Sequence, residues 1–376
     1  MNWQARHVCK AQSLEIECQD GLVQVKNLAG TAPKAPLLMF RGFVDLQVNG
    51  YHQVDMSDSQ LSAGDAETFC RELAKLGVVG FLATLTTHSD DHLLAALSNL
   101  NKLADESNLF GKMMLGIHLE GPFISAEDGP RGAHPSQFCC PPDIEKFEAF
   151  QRAAGGRIRI VTLSPEYPEA DDFILEVSSK VIVSIGHTSA TPAQIRRAVE
   201  NGATMSTHLG NGMHKEIVRH PNYLWEQLAE ERLHAGLIAD GVHLDAAVIK
   251  SMIRAKGLDR CFLVSDSTVL SGAKPGLYRD SALGDVEVTS DRRLVIAGQT
   301  QLNAGAYRPM MDAVPFLMKT EFLKLNEILQ LGSMNPLRIL GLDWDLHERF
   351  VLFEISDAHQ MDIRLTVIDK EPVFVA

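Results

Sequence analysis

Eight short apolar segments, separated by stretches of helical character, are the feature that most constrains how this chain can fold. They begin at Phe43, Val78, Met113, Ile158, Lys180, Ala203, His234 and Cys261. Each is rich in aliphatic residues and alternates only weakly between apolar and polar positions, which is typical of strands buried on both faces. Because repeated β-α units pair their strands in parallel, eight of them predict an α/β fold with a closed (β/α)8 TIM-like barrel.

The segments between the predicted strands carry helix-boundary signals. Thr191 precedes Pro192 and is followed three positions later by Gln194, which predicts a capping box, and Asn201-Gly202 predicts the end of that helix. Ser62 and Asp65 predict the start of an earlier helix in the same way, and it should end at Leu76-Gly77. These signals support a helix after each strand.

The two ends of the chain differ from its middle. Residues 13–28 and 349–375 read as short strands with no room for a barrel unit. We therefore predict that residues 1–40 and 344–376 together form a small β-sandwich domain, and that residues 41–343 form the barrel. Residues 305–340 read as helical and should complete the outer ring of helices.

The composition limits which binding partners and which cellular compartment are expected for the protein. The chain has 35 basic and 48 acidic residues, a net charge of −13, and no basic run, which argues against nucleic acid or an anionic membrane as a partner. No apolar run approaches the roughly 20 residues of a membrane span. The N-terminus lacks a signal-peptide pattern, and the six cysteines show no C-x-x-C spacing. We expect a cytoplasmic protein.

Polar side chains collect where the predicted strands end. Because a barrel of this kind carries its functional groups at the C-terminal ends of its strands, these side chains should meet on one rim. They are Gln47 and Asn49 on the first strand, Thr84 and Thr86 on the second, Glu120 on the third, His187 on the fifth, His208 on the sixth, Asp240 and His243 on the seventh, and Asp266 on the eighth.

Glu120, His187 and His208 form a donor set for a divalent metal. Two imidazoles and a carboxylate leave coordination positions open for water or substrate. Asp266 would then take a proton from water and pass it on. The alternatives at this stage are structural histidines at the strand ends and a helix-capping role for Asp266.

Several ordered motifs resemble the N-acetylglucosamine-6-phosphate deacetylases, a family of the amidohydrolase superfamily. They are GFVDLQVNG from Gly42, HLEGPF from His118, GAH from Gly132, GHTSAT from Gly186, THLGNGM from Thr207, IADGVHLD from Ile238, VSDS from Val264 and SMNPLRILGL from Ser333. The resemblance covers about residues 40–342. It implies a metal-dependent hydrolysis of the acetamide of an N-acetylhexosamine 6-phosphate.

The resemblance also implies roles for individual residues. It assigns metal binding to Glu120, His187 and His208, general base and acid catalysis to Asp266, carbonyl binding to His134, and substrate contacts to Ala133, Asn211, Gly212, Arg219, Asp240 and His243. The amides at Asn211 and Gly212 would meet the phosphate, and Arg219 would bind it in its own or a neighbouring subunit's site. A homodimer is expected on the same grounds, although Arg219 also fits a plain surface ion pair.

The first strand bears on the number of metal ions. Most amidohydrolases place H-x-H there to hold a second ion, whereas this chain has the neutral amides of Gln47 and Asn49. We therefore expect one divalent ion per subunit, zinc in preference to Fe²⁺ or another ion, and a supporting role for His118.

Three segments depart from the family pattern. They are the run after Asp266, the pair His214-Lys215 and the loop from Ala297.

Two other functions remain open from the sequence. A related amidohydrolase could act on another N-acyl amino sugar or on a cyclic amide, and a barrel without catalytic activity could serve as a scaffold. The phosphate-loop resemblance argues against the first of these, and the complete donor set argues against the second.

Overall fold

The computed structural model describes residues 1–10, 12–28, 37–281 and 283–376. Residues 11 and 29–36 of the predicted terminal domain, and residue 282 of the predicted barrel, lie outside this description. In chain order the strands are β1 (Asn2–His7), β2 (Ser13–Gln19), β3 (Leu22–Asn27), β4 (Leu37–Phe40), β5 (Phe43–Val48), β6 (Gly50–Tyr51), β7 (Val54–Asp55), β8 (Val78–Thr86), β9 (Met114–Glu120), β10 (Ile158–Leu163), β11 (Ile182–Ile185), β12 (Ala203–Ser206), β13 (His234–Ile238), β14 (Cys261–Val264), β15 (Gly276–Ser281), β16 (Gly284–Val288), β17 (Leu294–Ile296), β18 (Gln299–Asn303), β19 (Phe350–Ile355), β20 (Met361–Ile368) and β21 (Glu371–Val375).

The helices fill the intervals between the barrel strands and follow the last of them. They are α1 (Ala63–Lys75), α2 (Asp90–Glu106), α3 (Asn108–Met113), α4 (Ile144–Ala153), α5 (Ala170–Val177), α6 (Pro192–Glu200), α7 (Tyr223–Ala229), α8 (Ala246–Lys256), α9 (Ala313–Lys319), α10 (Leu325–Gly332) and α11 (Met334–Ile339). Among the described residues, no helix has both the length and the apolar character needed to cross a membrane.

Eight parallel strands form the predicted barrel. Their order is β5, β8, β9, β10, β11, β12, β13 and β14, so each strand pairs with the next one along the chain. The buried aliphatic and aromatic side chains of these strands and of the surrounding helices form one continuous core. The (β/α)8 prediction is therefore confirmed.

The seam between β5 and β14 is closed by a side chain and by the residues just beyond β14. No regular ladder joins these two strands in the described part of the chain. Instead, Oδ1 of Asp45 accepts the backbone N–H groups of Gln47 at 3.2 Å and Ser265 at 3.1 Å. The N–H of Asp266 donates to the carbonyl of Gln47 at 3.0 Å. The segment that closes the barrel is thus the segment that carries Asp266.

The predicted small domain is built from both ends of the chain. Seven strands form one sheet in the order β21-β20-β19-β4-β1-β2-β3, with a separate apolar core that includes Ile16 and Phe350. The N–H of Val23 on β3 donates to the carbonyl of Lys370, which lies between β20 and β21, at 2.8 Å. The sheet therefore folds back until its two edges approach each other, and its two halves enclose the apolar core.

The helix-boundary predictions are confirmed. Thr191 caps α6, with Gln194 completing the capping box, and Gly202 follows at a φ of 121°. Ser62 accepts the N–H of Asp65 at the start of α1, which ends before Gly77 at a φ of 74°. The helical reading of residues 305–340 corresponds to α9, α10 and α11.

The sequence did not reveal an insertion between the last barrel strand and α9. The strands β15, β16, β17 and β18 form an antiparallel meander with its own small core, which includes Leu270 and Val286. Arg308, just after the meander, donates to the carbonyl of Asp240 at 2.9 Å and to that of Asp291 at 3.0 Å. The meander is therefore joined to the rim of the barrel beside the seventh strand.

The seam generates a stability prediction. Burial raises the pKa of Asp45 to about 7, so a neutral side chain with the same acceptor oxygen should be tolerated there. Asp45→Ala leaves two buried N–H groups without an acceptor and should lower the free energy of unfolding by about 2–4 kcal/mol. Asp45→Asn keeps the acceptor and should cost less than half as much. Urea denaturation of both variants provides the measurement, and equal stabilities would contradict the role of the seam.

Candidate metal centre and active site

Three buried side chains from three different strands meet at one point on the C-terminal rim. Glu120 is the last residue of β9, and His187 and His208 lie just beyond β11 and β12. Oε1 of Glu120 is 3.2 Å from Nε2 of His187 and 2.9 Å from Nε2 of His208, and the two nitrogens are 3.0 Å apart. The structure therefore brings together the three residues predicted as ligands.

The donor set fits a divalent ion. Metal–ligand bonds of about 2.0–2.2 Å place neighbouring ligands roughly 3 Å apart, as these three atoms are. Nδ1 of His187 is 2.8 Å from the carbonyl of Pro130, which fixes the proton on Nδ1 and leaves the lone pair of Nε2 facing the other two ligands. Burial opposes ionisation of Glu120, but the contacts with the imidazoles of His187 and His208 hold its pKa well below its usual range, so this ligand is ionised.

Two of the candidate ligands and Asp266 lie on strained turns. His187, His208 and Asp266 have φ values of 49°, 26° and 52°, in the left-handed region that side chains other than glycine rarely adopt. Such conformations persist only where the surrounding structure holds them, and they concentrate at functional sites. Each turn redirects the chain immediately after its strand so that the side chain faces the centre of the rim.

Asp266 lies beside the donor set. Its Oδ1 accepts hydrogen bonds from Nε2 of Gln47 at 3.0 Å and from Nδ2 of Asn49 at 2.8 Å. No donor among the described residues occupies Oδ2. Burial, and then the negative charge of Glu120, raises the pKa of Asp266 to about 6. This value is suited to a group that accepts a proton and returns it near neutral pH.

Gln47 bridges the two carboxylates. Its Nε2 donates to Oε1 of Glu120 at 2.9 Å as well as to Oδ1 of Asp266. An amide with two N–H groups thus lies between two negative charges, where a cation would otherwise reduce their repulsion. Because an amide nitrogen has no lone pair to offer a metal, the atom that lies between the two carboxylates is a hydrogen-bond donor and not a metal ligand.

His134 presents a hydrogen-bond donor to the same centre. Its ring centroid is 4.4 Å from that of His187, and its Nδ1 lies 2.9 Å from Oγ1 and 3.4 Å from the backbone nitrogen of Thr87. Because a backbone N–H can only donate, Nδ1 is the acceptor and the ring proton is on Nε2. Burial lowers the pKa of His134 to about 3, so the imidazole is neutral and keeps this N–H.

His118 is held away from the donor set. Its Nδ1 is 3.1 Å from the carbonyl of Leu46, and its Nε2 is 2.7 Å from the hydroxyl of Thr162. That hydroxyl continues to Thr207 at 2.7 Å, next to His208. Both ring nitrogens of His118 are therefore used in hydrogen bonds to groups other than the three candidate ligands. This is what the predicted supporting role requires.

Asp240 and His243 form a pair on the seventh strand's loop. Oδ2 of Asp240 is 2.8 Å from Nδ1 of His243, and its Oδ1 accepts the N–H of His243 at 2.9 Å. The carboxylate therefore fixes the tautomer and the orientation of the ring, which leaves Nε2 of His243 for a substrate.

The remaining predicted substrate residues lie on two loops. Ala133 is exposed beside His134, and Asn211 donates its backbone and side-chain N–H groups to the carbonyl of His208 at 2.9 and 3.2 Å. Gly212 has a φ of 55°, and a Cβ there would lie 2.7 Å from Nδ1 of His187. Arg219 is exposed on the same loop, with no ion pair among the described residues. The structure therefore places Arg219 at the edge of the site rather than inside it.

Sequence reasoning missed several residues that hold the site in place. Asp45 carried a signal, because it is a charged residue inside the otherwise apolar run FVDLQV. Thr87 carried none: it contacts Gly121, where a Cβ would lie 2.1 Å from Oγ1 of Thr87, but the two residues are far apart in the sequence. Arg308 carried none, since it follows an insertion that the pattern did not show.

Known proteins resemble the chain along most of its length. The model of the amidohydrolase family matches residues 38–346. N-acetylglucosamine-6-phosphate deacetylase of Bacillus subtilis is 33% identical over 311 residues, which cover 82% of this chain and 76% of the relative. The human protein of that name is 31% identical and covers 89% and 83%.

This chain belongs to the N-acetylglucosamine-6-phosphate deacetylase family of amidohydrolases. Among solved structures, that of the deacetylase from Mycobacterium smegmatis matches with a TM-score of 0.84 at 25% identity, covering all of both chains. Dihydropyrimidinase from Brevibacillus agri shares the fold, with a TM-score of 0.59 at 10% identity over 100% of this chain and 95% of that one. The architecture is therefore shared across the family, including the domain built from the two ends.

The amide bridge generates a prediction about metal content. Replacing Gln47 and Asn49 together by histidine would put two imidazole nitrogens where the amides now face Glu120 and Asp266. The double variant should bind one more equivalent of divalent ion than the parent protein, because imidazole is a strong ligand and an amide nitrogen is not. Elemental analysis after dialysis measures the ratio. Gln47→Leu with Asn49→Leu, which removes the amides without adding a ligand, is the matched control, and an unchanged ratio in the histidine variant would contradict the geometry.

Proposed function

We propose that the protein hydrolyses the acetamide of an N-acetylhexosamine 6-phosphate, releasing acetate and the amino sugar phosphate, with N-acetylglucosamine 6-phosphate as substrate. The observation that carries the proposal is the cluster of Glu120, His187 and His208 with Asp266 joined to it through one amide, 2.9 and 3.0 Å away. Curated relatives at 31–33% identity are named for this activity.

We propose that the donor set holds one divalent ion in each subunit, namely zinc, with Fe²⁺ as the alternative that elemental analysis would reveal. A neutral imidazole pair with one carboxylate is a set that zinc accepts readily. When bound, such an ion polarises the substrate carbonyl and lowers the pKa of water toward about 7. The protein supplies the fixed ligands and the proton-transfer groups around it.

Asp266 is proposed to move the proton. Its free Oδ2 accepts a proton from the attacking water while Oδ1 stays bound to the amides of Gln47 and Asn49. The water oxygen forms a bond to the carbonyl carbon, and Asp266 then delivers the proton to the nitrogen as the carbon–nitrogen bond breaks. The second proton of the water also passes to the amine when the carboxyl group ionises, so the products are acetate and the ammonium form of the amino sugar phosphate, and atoms and charge balance.

His134 is proposed to stabilise the developing oxyanion. Its Nε2–H, fixed by the contact of Nδ1 with Thr87, would donate to the carbonyl oxygen as that oxygen becomes negative. One donor of this kind contributes about 3–4 kcal/mol to transition-state stabilisation. His243 and Ala133 would contact the sugar, with Asp240 holding His243 in place.

Asn211, Gly212 and Arg219 are proposed to bind the phosphate. Backbone N–H groups of a tight glycine turn suit an anion, and the planar guanidinium of Arg219 can pair with two phosphate oxygens. Because Arg219 lies exposed at the edge of the site, we propose that the protein is a homodimer in which this residue serves the neighbouring subunit's site.

We further propose a domain division of residues 1–40 with 344–376 for the small domain and 41–343 for the catalytic barrel, and a cytoplasmic location. The first is supported by the separate core of the terminal sheet. The second follows from the charge of a sugar phosphate, which does not cross a membrane unaided, and from cysteine usage suited to a reducing compartment.

The proton-transfer role predicts the behaviour of one variant. Asp266→Asn keeps the shape and one acceptor oxygen but cannot take a proton, so kcat for acetate release from N-acetylglucosamine 6-phosphate should fall at least 10³-fold, as removal of a general acid–base typically costs about 10²–10⁴-fold. Its metal content should stay that of the parent. A kcat within tenfold of the parent would show that another group moves the proton.

The shared site predicts complementation. Arg219→Ala and Asp266→Asn homodimers should each be poorly active, the first through a raised KM and the second through a lowered kcat. Mixed dimers should regain activity, because one of their two sites then has both Asp266 and Arg219. Mixing the two variants after reversible dissociation and measuring acetate release provides the test. No recovery in proven mixed dimers would place Arg219 in its own subunit's site.

A further inference from the structure

Two loops of the rim are joined by three side chains that the proposed chemistry does not use. Glu127 lies on the loop after β9, His214 lies on the loop after β12, and Tyr223 is the first residue of α7. Nε2 of His214 is 3.0 Å from Oε1 of Glu127, and its Nδ1 is 3.0 Å from the hydroxyl of Tyr223. We call these three residues the rim clamp.

The hydrogen bonds of the clamp engage both nitrogens of His214. The hydroxyl oxygen of Tyr223 accepts the backbone N–H of His214 at 3.1 Å, so its own proton is directed at Nδ1. Nε2 then carries the ring proton and donates it to Glu127, and this bond lowers the pKa of that carboxyl. With both nitrogens occupied, the side chain of His214 is not available to a substrate.

The clamp lies outside a point where the two loops approach each other across His187. The carbonyl of Pro130 accepts a proton from this ring on one side, and a Cβ on Gly212 would lie 2.7 Å from the ring on the other. Farther out, Gly129 lies against His214, since a Cβ on Gly129 would be 3.2 Å from Cα of His214. The two loops are therefore packed together along their length, with the clamp at the outer end.

We propose that His214 is a positioning residue that holds the backbone of Asn211 and Gly212 in the conformation that binds the substrate phosphate. The proposal rests on the proposed function, and it explains why a histidine stands where the sequence departs from the family pattern. The side chain of Glu127 is 56% exposed and that of His214 is 29% exposed, so the hydrogen bond between them adds little to global stability. The contact instead affects the conformation of the loop that carries Asn211 and Gly212.

Tyr223→Phe tests the clamp with the least disturbance, because it removes the hydroxyl and keeps the buried ring. We expect a roughly three- to tenfold higher KM for N-acetylglucosamine 6-phosphate, the range that follows from losing one or two partly exposed hydrogen bonds. The kcat, the metal content, and the KM for unphosphorylated N-acetylglucosamine should each change less than twofold. Glu127→Ala should behave in the same way, and Glu127→Gln, which keeps an acceptor oxygen, should restore most of the affinity.

The matched control is Arg196→Ala, which breaks a largely exposed side-chain contact elsewhere, the ion pair of Arg196 with Glu226 at 2.8 Å between α6 and α7. It should leave both KM values unchanged. Combining Tyr223→Phe with Glu127→Ala should raise KM by less than the product of the single effects, because both variants disable the same histidine. A full product of effects would show that the two contacts act separately and would overturn the clamp.

Hydrogen exchange of the backbone amides gives a readout that does not depend on activity. The clamp variants should speed exchange in residues 209–216, whereas the barrel strands should stay protected. Equal losses on both sugars, lost metal, or unchanged KM and exchange would each overturn the proposal. A parent protein that hydrolyses neither sugar would overturn the proposed function and the phosphate role with it, while the exchange data would still decide whether the clamp holds the loop.

Discussion

The structure depends on three ligand atoms held about 3 Å apart by three separate strands. Oε1 of Glu120 and Nε2 of His187 and His208 all carry lone pairs directed at one point, and such atoms repel each other unless a cation lies between them. The parallel barrel supplies the rigidity for this arrangement, because each ligand is attached at or just beyond the end of a paired strand. The strain at His187 and His208 is the local cost of aiming both rings inward.

Three of the histidines around this point have a ring proton whose position a neighbouring group fixes. The carbonyl of Pro130 sets the proton on His187, Thr87 sets that on His134, and Asp240 sets that on His243. Asp266 differs, since one oxygen is bound by amides and the other is open. Side chains with fixed protons thus surround one carboxyl group that can gain and lose a proton. General acid–base catalysis needs this arrangement.

The sequence predicted those parts of the molecule that local patterns determine. Such patterns depend on residues only a few positions apart. They include the repeated apolar strand segments, the capping box at Thr191 and the polar residues at the strand ends. The meander of β15 to β18 was missed because its strands are only three to six residues long and carry no clear alternation. Glu127 and His214 are 87 residues apart, and Arg308 reaches Asp240 across 68, so a single sequence holds no signal for either contact. His214 was recognisable only as an unusual residue, not as a partner.

The amide of Gln47 has a consequence for how the centre responds to metal supply. In a two-ion centre, a metal ion keeps a pair of carboxylates together. That ion is exchangeable and is lost when chelators or competing ions are present. Here the amide of Gln47, which is part of the polypeptide, takes this position, and it binds Glu120 and Asp266 at any concentration of ions. Under the proposed assignment, emptying and refilling the centre would therefore leave the spacing of these two acids intact, with Asp266 already in place before an ion binds.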